Sequence, residues 1–412
     1  MISAKKLFCI SFGILVFLRA LTWHEFAEYI PYTEVTILYL LILSLFLVKQ
    51  RGISIPAKAP GCRVLLILTV YFIVWGVCVI PEGRSDATGV MFRSLLMVAV
   101  VAISCLCIRK LDCIDNVVRA SYIALVLLLI VISLIYFYEF NIIATLQSFW
   151  IPQEWLRTRA RLGFANNIPA EYAMSAILLS IYILKINKPS NKRIIYCVDF
   201  FMVFIILANN SRGTLLALIV SSIIYFYLKI LRPRRIKRVV KIGIILIIGI
   251  VFYIVFNSVQ GNIDIVKLLD GTNRSHFIKN LMALASSGRW FMGFGNISGA
   301  FFSEGNVVFG VQLDYMEVAY IGFFVCGGII GATMIFYAIL LLLFSIIKYM
   351  KIVDVNRGKW FLLVYAYMMF LSLFEGYIFS PTYVTATIFL ILVICFVDSS
   401  YINTKRISRT TI

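Results

Sequence analysis

The apolar runs in this chain are too long and too unbroken for anything but membrane helices. Segment 65–80 reads LLILTVYFIVWGVCVI, without a charge and without alternation. A barrel strand needs only about ten residues and alternates apolar with polar, whereas a helix crossing roughly 30 Å of hydrocarbon needs about twenty. In lipid the backbone must satisfy its own hydrogen bonds, and a helix does so within one segment. Spans are expected near 7–23, 33–48, 64–80, 88–108, 117–138, 170–186, 194–208, 213–230, 241–257, 318–347, 360–379 and 383–397. The fold class is therefore all-α: a polytopic membrane helix bundle of about twelve transmembrane helices, one integral membrane domain over 1–412. The first run lacks a small-residue cleavage site and reads as a retained helix.

Charge sets the orientation. With the N-terminus in the cytoplasm, 27 of the 38 Lys and Arg fall on that side, among them the RPRRIKR run at 232–238, and 14 of the 19 acids fall on the other. That alternation requires an even number of spans with both termini inside. The formal net charge of +19 does not imply nucleic acid, because the basic runs flank spans, where the orientation rule and anionic headgroups account for them. The nine cysteines lie in spans or on the cytoplasmic side, so no disulfide framework is expected. His24 and His276 are too few and too far apart to argue for a metal site.

Two outer loops, 139–169 and 258–317, are long enough to carry function. The outer basic residues are Arg84, Arg157, Arg159, Arg161, Arg212, Lys267, Arg274, Lys279 and Arg289, mostly Arg where the cytoplasmic set favours Lys. A guanidinium is a planar fork, less strongly hydrated than an ammonium, and suits a half-buried phosphate. Arg19 and Arg93 lie inside spans near their outer ends, where a long side chain either snorkels or lines the same cavity.

In RTRARLGFANNIPAEYA (157–173) three arginines alternate with other residues in a loop that the orientation rule should keep free of them. Asn166 and Asn167 follow; Pro169 and Glu171 are ordinary helix initiation. In NNSRGTLLAL (209–218) Ser211 and the asparagines are reasonable caps, but caps do not need Arg212 at the membrane surface. SHFIKNLMALASSGRWFMGFG (275–295) reads as an amphipathic helix lying on the bilayer, with Ser275 as N-cap and Arg289 just past its C-terminal glycine. VQLDYMEVAYIGFFVCGGIIG (311–331) brings Asp314 and Glu317 to the mouth of the tenth span, as ion-pair partners or as a base toward a hydroxyl. Its glycines permit close helix packing.

Taken in order, these pieces resemble the O-antigen polymerase and ligase superfamily of bacterial envelope enzymes. The resemblance covers about the central half: RxxxG at Arg159–Gly163 and Arg289–Gly293, SRG at Ser211–Gly213, SGR at Ser287–Arg289, and LDYMEVAYIGFF followed by GGIIG. Members elongate or transfer sugar chains carried on undecaprenyl pyrophosphate at the periplasmic face of the inner membrane. The family's essential arginines match Arg212 and Arg289, and its arginine-rich loop matches Arg157 to Arg161. Ligases usually carry a His just ahead of the acidic-aromatic stretch; Gln312 or Leu313 stands there, which favours the polymerase branch.

The resemblance implies a metal-independent glycosyl transfer with no cofactor. Arg212 and Arg289 would hold the leaving diphosphate, and Arg157, Arg159 and Arg161 would clamp a second one. Asn166, Asn167 and Tyr315 would bind sugar; Glu317, or less readily Asp314, would act as base. Partners would be the lipid-linked oligosaccharides, membrane lipids and a chain-length regulator protein. The alternatives are a ligase, which transfers to lipid A core, and a flippase or transporter of the same lipid-linked sugar, which fits the span count equally well.

Overall fold

The computed structural model describes residues 3–22, 24–29, 31–48, 58–77, 85–140, 160–164, 167–209, 211–230, 275–295, 307–308, 311–312, 319–350, 354–373, 378–379 and 383–410. Within these the chain is built of helices: α1 Ala4–Leu21, α2 Tyr32–Val48, α3 Pro60–Val77, α4 Ser85–Leu111, α5 Ile114–Ile135, α6 Ile168–Tyr182, α7 Lys192–Asn209, α8 Arg212–Ile230, α9 Ser275–Ser286, α10 Ala319–Tyr349, α11 Val355–Leu371 and α12 Val384–Thr410. Seven helical stretches among the described residues are long and apolar enough to cross a membrane, in α3, α4, α5, α6, α8, α10 and α12. α1 and α7 are as long but carry Lys5, Lys6 and Arg19, and Lys192, Arg193 and Asp199. This is a multi-pass helical membrane protein.

Local chemistry sets the ends. Ser3 caps α1 by accepting from the Lys6 amide, and Asp354 caps α11 by accepting from the amides of Asn356 and Arg357. α3 begins at Pro60, whose missing N–H costs nothing in a first turn, and the buried Asp398 of α12 accepts from the Gly61 amide at 2.8 Å. α6 ends in a wider turn over Ile183–Asn187, closed by Lys188 in the left-handed region at φ 45°.

α12 is the axis of the bundle: 83% of its membrane-crossing stretch is buried, and it packs on α3, α4, α10 and α11. α1 packs on α5, α5 on α6, and α6 on α7; α8 leans on α11. Tyr71, Trp75, Tyr172, Tyr182 and Tyr367 are among the largest fully enclosed side chains. Leu45, Leu134 and Phe200 stand outward, as lipid-facing residues should. At the end of the bundle where α5 and α11 begin, Asp115 receives the Arg357 guanidinium at 3.0 Å and the Tyr182 hydroxyl at 2.6 Å.

The expected run at 241–257 lies outside the described residues, and the run expected over 360–379 ends as helix at Leu371. A small antiparallel pair, Val307–Val308 with Val311–Gln312, was not expected; the surrounding stretch carries no run of alternation long enough to signal a strand.

Candidate functional site

The segment Ala160–Phe164 is fixed backbone atom by backbone atom. The Ala160 amide donates to the Ala208 carbonyl at 3.1 Å, and Asn209 Nδ2 donates to the Ala160 carbonyl at 2.8 Å. The Leu162 amide donates to Glu139 Oε2 at 2.7 Å, and the Glu25 amide donates to the Gly163 carbonyl at 3.0 Å. His24 Nε2 lies 3.1 Å from the Leu162 carbonyl while its Nδ1 faces the Phe26 amide, so the neutral ring donates from Nε2. Tyr136 in turn donates to Glu25 Oε2 at 2.9 Å. The chain turns through Leu162 at φ 52° and Gly163 at φ 68°, and any side chain at Gly163 would collide with the His24 imidazole and the Tyr136 ring.

Arg161 projects from the middle of this clasp and is exposed. Arg157, Arg159 and Asn166 lie outside the described residues, and Asn167 stands at the entry to α6. Pro169 occupies the first turn of α6 as expected; Glu171 in that turn is wholly buried, which ordinary helix initiation does not require. Glu139, His24 and Glu25 also escaped the sequence reading, because their role is to hold distant backbone and no local motif announces that.

α8 starts three residues beyond Asn209, the other half of the junction. Ser211 Oγ accepts from the Thr214 amide at 3.3 Å and donates to Thr214 Oγ1 at 3.0 Å, so Ser211 is a true cap and Arg212 is the first helical residue. Asn209, Ser211 and Thr214 are all fully buried. The starts of α6 and α8 thus lie on the same side of the bundle, beside the Arg161 segment.

Arg289 belongs to a second device. α9 ends as expected, with Gly288 beyond it at φ 68°, and the following loop enters a break in α10. At Gly328, φ 59° and ψ −163°, α10 leaves helical geometry. The carbonyls this frees are taken by the loop: Phe294 donates to Val325 at 2.9 Å and Gly295 to Cys326 at 2.8 Å. The amides it frees donate back, Ile329 to Trp290 at 2.7 Å and Ile330 to Phe291 at 3.2 Å. Trp75 of α3 donates its indole N–H to the Met292 carbonyl at 2.6 Å, and Arg289 Nε donates to Gly293 at 3.0 Å. The glycines of VCGGIIG therefore admit a loop backbone as well as the close approach of α3, where Gly331 lies under Trp75.

The described contacts bring the Arg161 and Arg212 segments together and anchor Arg289 separately on α10 and α3. Asp314, Tyr315 and Glu317 lie outside the described residues. Arg19 does not snorkel: it is 5% exposed and donates to Thr36 at 2.7 Å, whereas Arg93 is exposed. Burial beside a hydroxyl on α2 replaces the water that snorkelling would have reached. A comparison with protein-family models gives no match, and neither does one with curated proteins. What the fold defines is a multi-pass helical membrane protein in which the Ala160–Phe164 segment is braced by the buried side chains of His24 and Asn209.

Proposed function

We propose that this chain is an O-antigen polymerase of the bacterial inner membrane, with twelve spans, both termini in the cytoplasm, and its arginines on the periplasmic face. It joins undecaprenyl-pyrophosphate-linked oligosaccharide repeat units by glycosyl transfer. The observation that supports this most is the Ala160–Asn209 junction, which ties the backbone just before Arg161 to the end of α7, three residues before Arg212.

In the proposed reaction a hydroxyl of one lipid-linked unit attacks the anomeric carbon of the other chain. The carbon–oxygen bond to the diphosphate breaks, the electron pair leaves with the diphosphate, and the hydroxyl proton passes to Glu317 or Asp314. Charge builds on the leaving group, so fixed cations in a partly dehydrated pocket lower the barrier. Arg212 and Arg289 take that role, and Arg157, Arg159 and Arg161 hold the second diphosphate. Substituting Arg212 and Arg289 by Lys and by Ala and running lipopolysaccharide gels tests this: the long-chain ladder is expected to collapse. An intact ladder in all four variants would remove both residues from the mechanism.

The break in α10 favours a second reading, because transporters bind substrate at broken helices. Here, however, the backbone groups that the break frees on Val325, Cys326, Ile329 and Ile330 are each already paired with the Arg289 loop, where a transporter's broken helix would present them to a cargo. Movement of lipid-linked sugar across proteoliposomes without elongation would support the transporter.

A further inference from the structure

α1 and α5 touch closely at one level, where a Cβ on Gly13 would lie 3.4 Å from the Ala120 carbonyl. Around that crossing they leave an open groove of about 540 Å³ whose described lining comes from these two helices. Its walls are apolar, Ile10, Ile14 and Phe17 on one side and Ile123 and Leu127 on the other. One end is not: Lys6, Asn116 and Arg119 form it. Lys6 and Arg119 are exposed, and among the described residues neither side chain has a carboxylate partner. Asp115, one turn before Arg119, is engaged with Arg357 and Tyr182, and the Asp112 backbone carbonyl accepts from Lys5 Nζ at 2.6 Å.

We infer that this groove binds one acyl chain of an anionic diacyl phospholipid of the surrounding bilayer, whose phosphate sits between Lys6 and Arg119. Length supports a phospholipid. From Lys6 to Leu18 α1 rises about 18 Å at 1.5 Å per residue, close to the roughly 15 Å depth of one leaflet's hydrocarbon. Charge supports an anionic head, since two unpaired cations and a side-chain amide meet a phosphate diester and repel a choline or ethanolamine ammonium. The site is independent of the arginine-bearing mouth and does not rest on the polymerase reading.

The test is native mass spectrometry of the purified full chain titrated with phosphatidylglycerol and with phosphatidylethanolamine. The wild type should retain phosphatidylglycerol selectively. Lys6→Gln and Arg119→Gln should each weaken that retention about fivefold and Lys6→Arg should preserve it. Ile14→Trp with Leu127→Trp, which fills the walls and leaves both cations, should also abolish it. Equal retention of the two lipids, an unchanged titration in the double Gln variant, or displacement of the lipid by inorganic phosphate at equal concentration would overturn the inference. Thermal melting of each variant separates loss of the site from loss of the fold.

Discussion

Asn209 and Ala160 meet through a single 2.8 Å hydrogen bond from a buried side-chain amide to a buried carbonyl, and this bond couples two arginine segments 49 residues apart in sequence. Asn209 closes α7, three positions before Arg212; Ala160 immediately precedes Arg161. Together with the bond from the Ala160 amide to the Ala208 carbonyl at 3.1 Å, it holds the backbone before Arg161 against the end of α7.

Asn209→Ala therefore leaves the Ala160 carbonyl without its side-chain donor in a buried place, at a cost of about 1–3 kcal/mol. Melting temperature should fall accordingly, and the sugar-chain ladder should shorten although no arginine has been touched. Asn209→Asp should be as harmful, since a carboxylate cannot donate to that carbonyl.

The clasp also predicts a response to pH. Burial, its largest cause, holds the His24 pKa below the ordinary imidazole value of 6.5, against the opposing pull of Glu25, the Leu162 carbonyl and Glu139. Above 6.5 the ring is neutral folded or unfolded, and its contribution to stability is complete. As pH falls below that value the unfolded chain takes up a proton that the folded chain refuses, so stability is lost on the way down to the depressed folded value. Melting temperature should therefore drop as pH falls below about 6.5. His24→Gln, which keeps a donor toward Leu162 without titrating, should flatten that drop.

Gly328→Ala tests the break in α10. Its φ of 59° with ψ of −163° belongs to a region essentially restricted to glycine, and a Cβ would press on the Phe291 carbonyl and the Gly293 amide. Strain of about 1–3 kcal/mol is expected from the dihedrals alone. Release of the 288–295 loop should appear as a new protease cut. Gly322→Ala, on the same helix but with open space where the Cβ goes, should leave both melting and cleavage unchanged.

Arg357→Gln should do little by comparison. The Arg357 and Asp115 side chains are 33% and 35% exposed, so solvent screens the pair and its loss should cost less than about 1 kcal/mol. Asp115 keeps the Tyr182 hydroxyl. A shift in melting temperature larger than that of Asn209→Ala would contradict this ranking.

The helices were legible because a lipid solvent leaves a chain few options: the unbroken apolar run that begins at Leu65 is helical through Val77, and Ser211 before an apolar run becomes a cap. The amphipathic 275–286 segment and the glycine beyond it were legible for the same local reasons. What could not be read is contact between distant segments. GGIIG signals that something approaches closely, but not that the partner is the backbone of residues 290–295. His24 looks idle in sequence, and Glu171 looks like a first-turn acid on a surface; only packing reveals that both are enclosed.

The central claim is that the outer arginines grip lipid diphosphates so that one sugar chain can be passed to another. The most direct measurement is proteoliposomes of purified protein supplied with undecaprenyl-pyrophosphate-linked repeat units and nothing else, with products sized on gels. The account predicts a polymer ladder that Arg212→Ala and Arg289→Ala abolish. Single units alone from well-folded wild-type protein, or a ladder that both variants retain, would contradict it.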